Sequence, residues 1–176
     1  MIFFLPHNGT QSYLHAICLN IGLLACLLLS FLFHPVSSND DCQKKIDRII
    51  RYSKSQLGQP YEWGGDGPDS FDCSGFVHFV YGMVGIDVPR VSRSLIQTGH
   101  RVTLFNIKRG DLVFFFSGEP PERDISHVGI VITDYKDGNF EFIHANRGSG
   151  CVSISEYKQP YFYNSYGGAR RIVDCD

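Results

Sequence analysis

The chain has 176 residues, and its 16 lysines and arginines nearly balance its 18 aspartates and glutamates, which leaves a formal net charge of −2. The basic residues form no stripe or block, so a nucleic acid is not an expected partner. The sequence also lacks the CxxC and HExxH spacings of common zinc sites. We therefore expect neither a metal nor another cofactor.

The first part of the chain is far more apolar than the rest. Residues 16–33 read AICLNIGLLACLLLSFLF without a charge, and a helix of that length spans about 27 Å, close to the thickness of a bilayer core. Small residues up to Ser38 then favour cleavage by a signal peptidase. Residues 1–15 contain no lysine or arginine, so a retained membrane anchor is the alternative to a cleaved signal. Acylation of Cys26, as in bacterial lipoproteins, is a third interpretation.

Each of these interpretations predicts export. We expect residues 1–38 to be a signal peptide or membrane anchor, and residues 39–176 to form one domain of ordinary size. The protein would then be periplasmic, in the cell envelope or secreted, and any attachment to a membrane would come from the N-terminal segment.

Four cysteines follow the apolar segment: Cys42, Cys73, Cys151 and Cys175. An oxidising compartment favours disulfides, and the two ends of a domain often lie close together. We therefore predict a Cys42–Cys175 disulfide that leaves the other two thiols free. Because connectivity cannot be read from sequence, a structural disulfide that uses Cys73 is the alternative.

Two helices are predicted in the first half of the domain. Asn39 or Asp40 is expected to cap the first, which has apolar residues at helical spacing until Gly58 ends it. The second runs from about Cys73 to Val84, before Gly85. Its predicted buried stripe consists of Phe76, Val77, Val80 and Val84.

Beyond residue 100 the sequence changes to short runs of β-branched and aromatic residues, separated by turn residues. Asp137-Gly138 is a strong hairpin signal, and Pro120-Pro121 predicts an exposed loop. Helices followed by antiparallel strands describe an α+β fold, with N-terminal helices packed on an antiparallel β-sheet. The predicted strands cover residues 111–116, 127–133, 140–145, 151–155 and 168–173.

Cys73 lies where a glycine-rich loop becomes a helix, in the sequence DCSGF. The unpaired N–H groups and the positive end of the helix dipole favour a thiolate there, so we expect a lowered pKa and a nucleophilic thiol. Asp72 is expected to cap the helix, and the small Ser74 lets a substrate carbonyl approach the backbone. The alternative is that Cys73 is a small buried core residue.

A nucleophilic cysteine needs a base and a group that orients the base. His127 opens the most regular strand, and His144 lies on the same face of the next strand. A two-residue turn at Asp137-Gly138 would place His144 opposite Val131, about 13 Å along the strand from His127, so a bulge, a longer loop or strong twist is needed to join the rings. Asn146 shares that face and is the alternative orienting residue.

Six segments occur in one order over residues 60–172, and together they resemble the NlpC-type cysteine peptidases, a papain-like family of bacterial cell-wall enzymes. The resemblance implies a papain-like fold and a Cys-His-His site, with Cys73 as nucleophile, His127 as base and His144 as the residue that orients it. Tyr61 matches a tyrosine that donates toward the oxyanion or substrate, and Asp72 and Ser74 match the substrate-contacting surroundings. The segments are PYEWGG, FDCSGFVHFVYGMVGIDVPRVS, RGDLVFF, SHVGIVI, FIHA and GARRI.

The resemblance implies an exported cysteine endopeptidase that hydrolyses amide bonds in the stem peptides or cross-links of peptidoglycan. Two other classes of function remain open. The domain could be a catalytically silent wall-binding module, or a related thiol amidase or acyltransferase that acts on another amide.

Overall fold

The computed structural model describes residues 38–118, 121 and 123–175. The predicted signal peptide or membrane anchor lies outside the described residues, apart from Ser38, and so does most of the loop around Pro120-Pro121. Within the described part of the chain, no helix is both long enough and apolar enough to cross a membrane.

The helices lie mainly in the first half of the domain, as predicted. Helix α1 begins at Ser38, so Asn39 and Asp40 lie in its first turn and do not precede it as caps. Helix α2 begins at Cys73, and its predicted stripe is buried. The sequence did not predict the short helices α3 and α4. The helices are α1 (Ser38–Ser55), α2 (Cys73–Gly82), α3 (Ser92–Leu95) and α4 (Pro160–Ser165).

Six strands form one antiparallel sheet in the order β1-β6-β2-β3-β4-β5. All five predicted strands are present, with bounds shifted by up to three residues. The sixth, β1, was missed because three residues with two exposed side chains give no alternation to detect. The strands are β1 (His100–Val102), β2 (Leu112–Ser117), β3 (Asp124–Val131), β4 (Glu141–Asn146), β5 (Cys151–Glu156) and β6 (Tyr166–Arg171). This arrangement confirms the α+β prediction.

Each face of the sheet packs a separate core. On one face, α2 covers residues such as Val128 and Ile130 of β3, and α1 packs against α2. On the other face, β2 and β4 contribute Phe115 and Phe142, against which Phe162 of α4 packs. Strand β3 therefore carries alternate side chains into two different environments, as its period-two pattern requires.

The β3–β4 hairpin contains a bulge that the sequence did not locate. The predicted Asp137-Gly138 turn is present, with both residues at positive φ and Lys136 paired with Asn139. Farther along the hairpin, however, Val131 pairs with Phe142. Four residues of the first arm, 132–135, therefore face only two of the second, 140–141.

The bulge corrects the predicted register of His144, which does not lie opposite Val131. Continuing the ladder beyond the Ile130–Ile143 pair places His144 beside Gly129, only two residues from His127. A hydrogen bond within the bulge, from the Glu141 N–H to Thr133 Oγ1 at 2.8 Å, stabilises this arrangement. The two histidines are thereby brought within side-chain reach.

A disulfide joins Cys42 of α1 to Cys175 beyond β6, with 5.6 Å between the two Cα atoms. Cys73 and Cys151 are free thiols. The predicted connectivity is thus confirmed, and Cys73 is not consumed by a structural disulfide.

Candidate active site

One groove contains five of the six predicted site residues. Cys73 and His127 both line it, and Tyr61, Asp72 and Ser74 line it with them. The sixth, His144, is fully buried behind His127. The structure therefore brings together the residues that the sequence singled out.

Cys73 is the first residue of α2, and Asp72 caps the helix as predicted. The Asp72 backbone is extended, and its Oδ1 atom accepts a hydrogen bond of 2.7 Å from the Gly75 N–H. The Cys73 thiol lies 3.7 Å from the carbonyl oxygen of Ser126, to which it can donate. Cys73 is therefore held between the start of α2 and the beginning of β3.

The pKa of Cys73 corrects the sequence-based expectation. Burial and the negative charge of Asp72 raise the pKa of the thiol, and the backbone N–H groups of Val128, Ser74 and Cys73 itself only partly oppose them. The helix terminus does act in the predicted direction, but desolvation of a thiolate costs more free energy than these donors return. The resting group is a neutral thiol.

Arg90 fixes the loop that precedes the nucleophile. Its guanidinium contacts both carboxylate oxygens of Asp72 at 2.9 Å, and it donates to Ser74 Oγ at 3.1 Å and to the Gly65 carbonyl at 3.0 Å. Burial alone would raise the pKa of Asp72, but Arg90 and the Gly75 N–H outweigh it and keep that pKa below its ordinary value. Arg90 thus joins loop, cap and helix through an ionised pair with planar geometry.

The two histidines form a hydrogen-bonded chain that continues to a serine. His127 Nε2 lies 2.6 Å from His144 Nδ1, and His144 Nε2 lies 3.0 Å from Ser155 Oγ on β5. This use of Nε2 leaves Nδ1 of His127 as the nitrogen available to Cys73. Asn146, the alternative orienting residue, instead accepts from the Gly148 N–H through its side chain.

Burial keeps both imidazoles neutral at ordinary pH. It lowers the pKa of His127 to about 4. The pKa of His144 lies well below its ordinary value because of burial and, secondarily, because of His127. A neutral imidazole has a lone pair that can accept a proton, so His127 meets the first requirement of a general base.

Tyr61 approaches the thiol from the other side of the groove. The backbone of Tyr61 pairs with Phe71 and donates to the Gly150 carbonyl at 2.8 Å. Burial, followed by the charges of Cys73 and Asp72, raises the pKa of its phenol. Tyr61 therefore carries a protonated hydroxyl that can donate a hydrogen bond.

Sequence reasoning missed Ser155 and the contacts of Arg90. Ser155 lies in an alternating strand pattern where a serine normally indicates a solvent-facing position, and only the observed register turns it toward His144. His78, on α2 with Cys73, is engaged elsewhere, because its Nδ1 is 2.8 Å from the Val88 carbonyl.

Comparison with known proteins identifies relatives of the whole domain. Residues 58–171 match the model of the NlpC/P60 family. The γ-D-glutamyl-L-lysine dipeptidyl-peptidase of Bacillus cereus is 36% identical over 137 residues, covering 78% of this chain and 39% of its own length. The murein DD-endopeptidase MepH of Escherichia coli is 34% identical over 135 residues, covering 74% of this chain and 47% of its own length.

Solved structures give the same assignment. The crystal structure of an NlpC/P60 family protein from Bacillus cereus superposes with a TM-score of 0.65 at 36% identity, covering 73% of this chain and 40% of that one. The chain spans less than half the length of these two curated relatives. The family match nevertheless covers α2 to α4, the six strands and the groove, and the chain belongs to the NlpC/P60 family.

Proposed function

We propose that this protein is a cysteine peptidase that hydrolyses amide bonds in the peptides of peptidoglycan. One observation carries the proposal: a free thiol at the start of a helix, Cys73, lines the same groove as His127, and His127 is hydrogen-bonded to His144 behind it. Similar proteins that are a γ-D-glutamyl-L-lysine dipeptidyl-peptidase and a murein DD-endopeptidase support the choice of substrate.

In the proposed first step, Nδ1 of His127 accepts the thiol proton while the sulfur of Cys73 attacks the scissile carbonyl carbon. Because burial favours the neutral forms of both groups, the proton moves during attack and no preformed ion pair is needed. The Cys73 N–H at the start of α2, with the Tyr61 hydroxyl, would donate to the developing oxyanion.

In the second step the protonated His127 gives its proton to the leaving amine, and the carbon–nitrogen bond breaks to leave a thioester. His127 then takes a proton from water, which attacks the thioester and releases the acid and the thiol. While His127 carries the proton, its Nε2–H donates to His144 Nδ1, which requires the His144 proton to lie on Nε2. Ser155 Oγ, 3.0 Å from His144 Nε2, accepts a hydrogen bond from that N–H. The hydrogen-bonded series from His127 to Ser155 therefore stabilises the charged state of the base.

Peptidoglycan lies outside the cytoplasm, so the proposed substrate requires export. The uncharged run of residues 16–33 supports a signal peptide or membrane anchor. Fractionation of cells that express the chain with a C-terminal tag tests this part. Recovery from the cytoplasm at full length would contradict export.

The proposed activity is tested by incubating the full chain with purified peptidoglycan and identifying the soluble fragments by mass spectrometry. Cys151→Ser, which removes the other free thiol, is the matched control for Cys73→Ala. We expect new stem-peptide termini with wild type and Cys151→Ser, and none with Cys73→Ala.

Two results would contradict the peptidase. Equal wall binding by wild type and Cys73→Ala, without release of fragments by either, would indicate a silent wall-binding module. Products formed at another amide or at an ester, with stem peptides intact, would indicate a thiol amidase or acyltransferase.

A further inference from the structure

The groove is lined by more positively charged than negatively charged side chains. Its described residues include two carboxylates, Asp72 and Asp124, and three guanidinium groups, those of Arg90, Arg93 and Arg147. Arg90 pairs with Asp72, and Arg93 pairs with Asp124. Among the described residues that line the groove, Arg147 is the one cation without an ion pair. The groove therefore has one uncompensated positive charge.

Arg147 stands in a turn whose backbone is well fixed. It follows β4 directly, and the Asn146 side chain accepts from the Gly148 N–H at 2.8 Å. Two residues later in the same turn, the Gly150 carbonyl accepts from the Tyr61 N–H at 2.8 Å. These contacts hold the backbone at Arg147 beside the segment that carries Tyr61.

Arg147 lines the same groove as the nucleophile, Cys73, and Tyr61. Burial, Cys73 and Asp72 raise the pKa of Tyr61, and Arg147 is the group that opposes them. The Tyr61 phenol thus interacts electrostatically with both the Cys73 thiol and the Arg147 guanidinium. Because Cys73 and Arg147 line one groove, a peptide bound there can contact both residues.

We infer that Arg147 is a specificity-determining residue that binds a free carboxylate of the substrate peptide next to the scissile bond. This inference rests on the proposed function and deepens it. A guanidinium fork matches the planar geometry of a carboxylate and can bind both of its oxygens. Among the described residues that line the groove, no other cation competes for the substrate carboxylate, since Arg90 and Arg93 are already paired.

A γ-linked glutamyl residue supplies such a carboxylate. Its side-chain carboxyl is used in the amide, which leaves the α-carboxylate free near the scissile carbonyl. The similar enzyme of Bacillus cereus is named for a γ-D-glutamyl bond. Conversion of that α-carboxylate to a carboxamide removes the charge and keeps the shape, so the two peptides differ mainly in what Arg147 would recognise.

The experiment compares kcat/KM of the full chain on two stem peptides that contain a γ-D-glutamyl bond, one with the free α-carboxylate and one with the α-carboxamide. Wild type should prefer the carboxylate by up to about fivefold, the scale of one exposed charge pair. Arg147→Gln should lose this preference through a higher KM for the carboxylate peptide, with little change on the carboxamide. Arg147→Lys should recover part of it.

Arg48→Gln, an exposed arginine of α1 away from the groove, is the matched control and should retain the wild-type preference. An unchanged preference in Arg147→Gln overturns the inference. Wild type that releases stem-peptide fragments from peptidoglycan but leaves both γ-glutamyl peptides intact also overturns it, and the proposed function survives. Wild type that releases no fragments overturns the proposed function and the inference together.

Discussion

Gly129 lies against His144: a β-carbon added at Gly129 would come within 3.3 Å of the His144 β-carbon. The same added atom would lie 2.6 Å from a ring carbon of Phe142 and 3.2 Å from the Ile143 carbonyl oxygen. Phe142 is fully buried and cannot move aside freely. The absence of a side chain at this point therefore allows the His144 ring to approach His127.

Gly129→Ala is expected to displace His144 and to overpack the neighbouring core. We predict a loss of about 1–3 kcal/mol in the free energy of unfolding and a lower kcat. Denaturant unfolding and peptide hydrolysis measure the two effects. Gly82→Ala is the control: no atom lies within 4 Å of its added β-carbon, and alanine in a helix should be neutral or stabilising by up to about 1 kcal/mol. Equal effects of the two substitutions would contradict this account.

Ser155→Ala removes the acceptor that supports His144 while His127 is protonated. We predict a fall in kcat of about tenfold, equivalent to about 1.4 kcal/mol of transition-state stabilisation, with KM nearly unchanged because Ser155 does not line the groove. Ser153→Ala is the matched control, since Ser153 is on the same strand but contacts Asn146 and Ser149. A kcat for Ser155→Ala equal to that of the control would exclude the positioning role.

Acid should destabilise the domain through the imidazoles of His127, which is half-buried, and His144, which is fully buried. Their folded-state pKa values are lowered, that of His127 to about 4, so the unfolded chain binds protons first, near pH 6.5. The stabilisation is therefore complete above pH 6.5 and is lost as pH falls toward 4, by up to about 1.4 kcal/mol per pH unit for each histidine. Urea unfolding from pH 7 to pH 4 tests this.

The variant that carries both His127→Gln and His144→Gln serves as the control for acid unfolding. It keeps hydrogen-bonding groups at both positions but cannot titrate, so its free energy of unfolding should fall less steeply with acid. Parallel curves for wild type and variant would show that other groups cause the loss.

The alkylation of Cys73 by iodoacetamide reports its thiolate. In a Cys151→Ser background we expect the rate to rise with a midpoint above the pKa of an ordinary thiol, because burial and Asp72 raise that of Cys73. Arg90→Gln should shift the midpoint higher, since the Asp72 charge loses its partner, and Asp72→Asn should shift it lower. A wild-type midpoint below that of free cysteine would instead support the lowered pKa and the thiolate that the sequence predicted.

Local signals explain why the nucleophile could be found from sequence. Asp72 caps α2 through its own side chain, and Cys73 follows it directly, so neither position depends on distant parts of the chain. The order of helices and strands was predictable for the same reason. The resemblance of several short segments to one family then selected His127 and His144 from seven histidines.

The register of His144 was not predictable, because the bulge depends on contacts from another segment. The Tyr135 N–H donates to the Ile107 carbonyl at 2.9 Å, and Asp134 accepts from the Arg109 N–H at 2.8 Å. The direction of the Cys73 pKa shift was wrong for a related reason. Its sign depends on how deeply the folded domain buries the sulfur, which the sequence around Cys73 does not specify.

The covalent link between Cys42 and Cys175 has a mechanical consequence. Strand β6 lies between β1 and β2 and is the last strand of the chain, so a pull on a free C-terminus would begin to strip it from the middle of the sheet. Because the disulfide joins Cys42 near the start of the domain to Cys175 near its end, tension between the two ends passes through the sulfur–sulfur bond. The domain could therefore bear load between Cys42 and Cys175 without opening its groove.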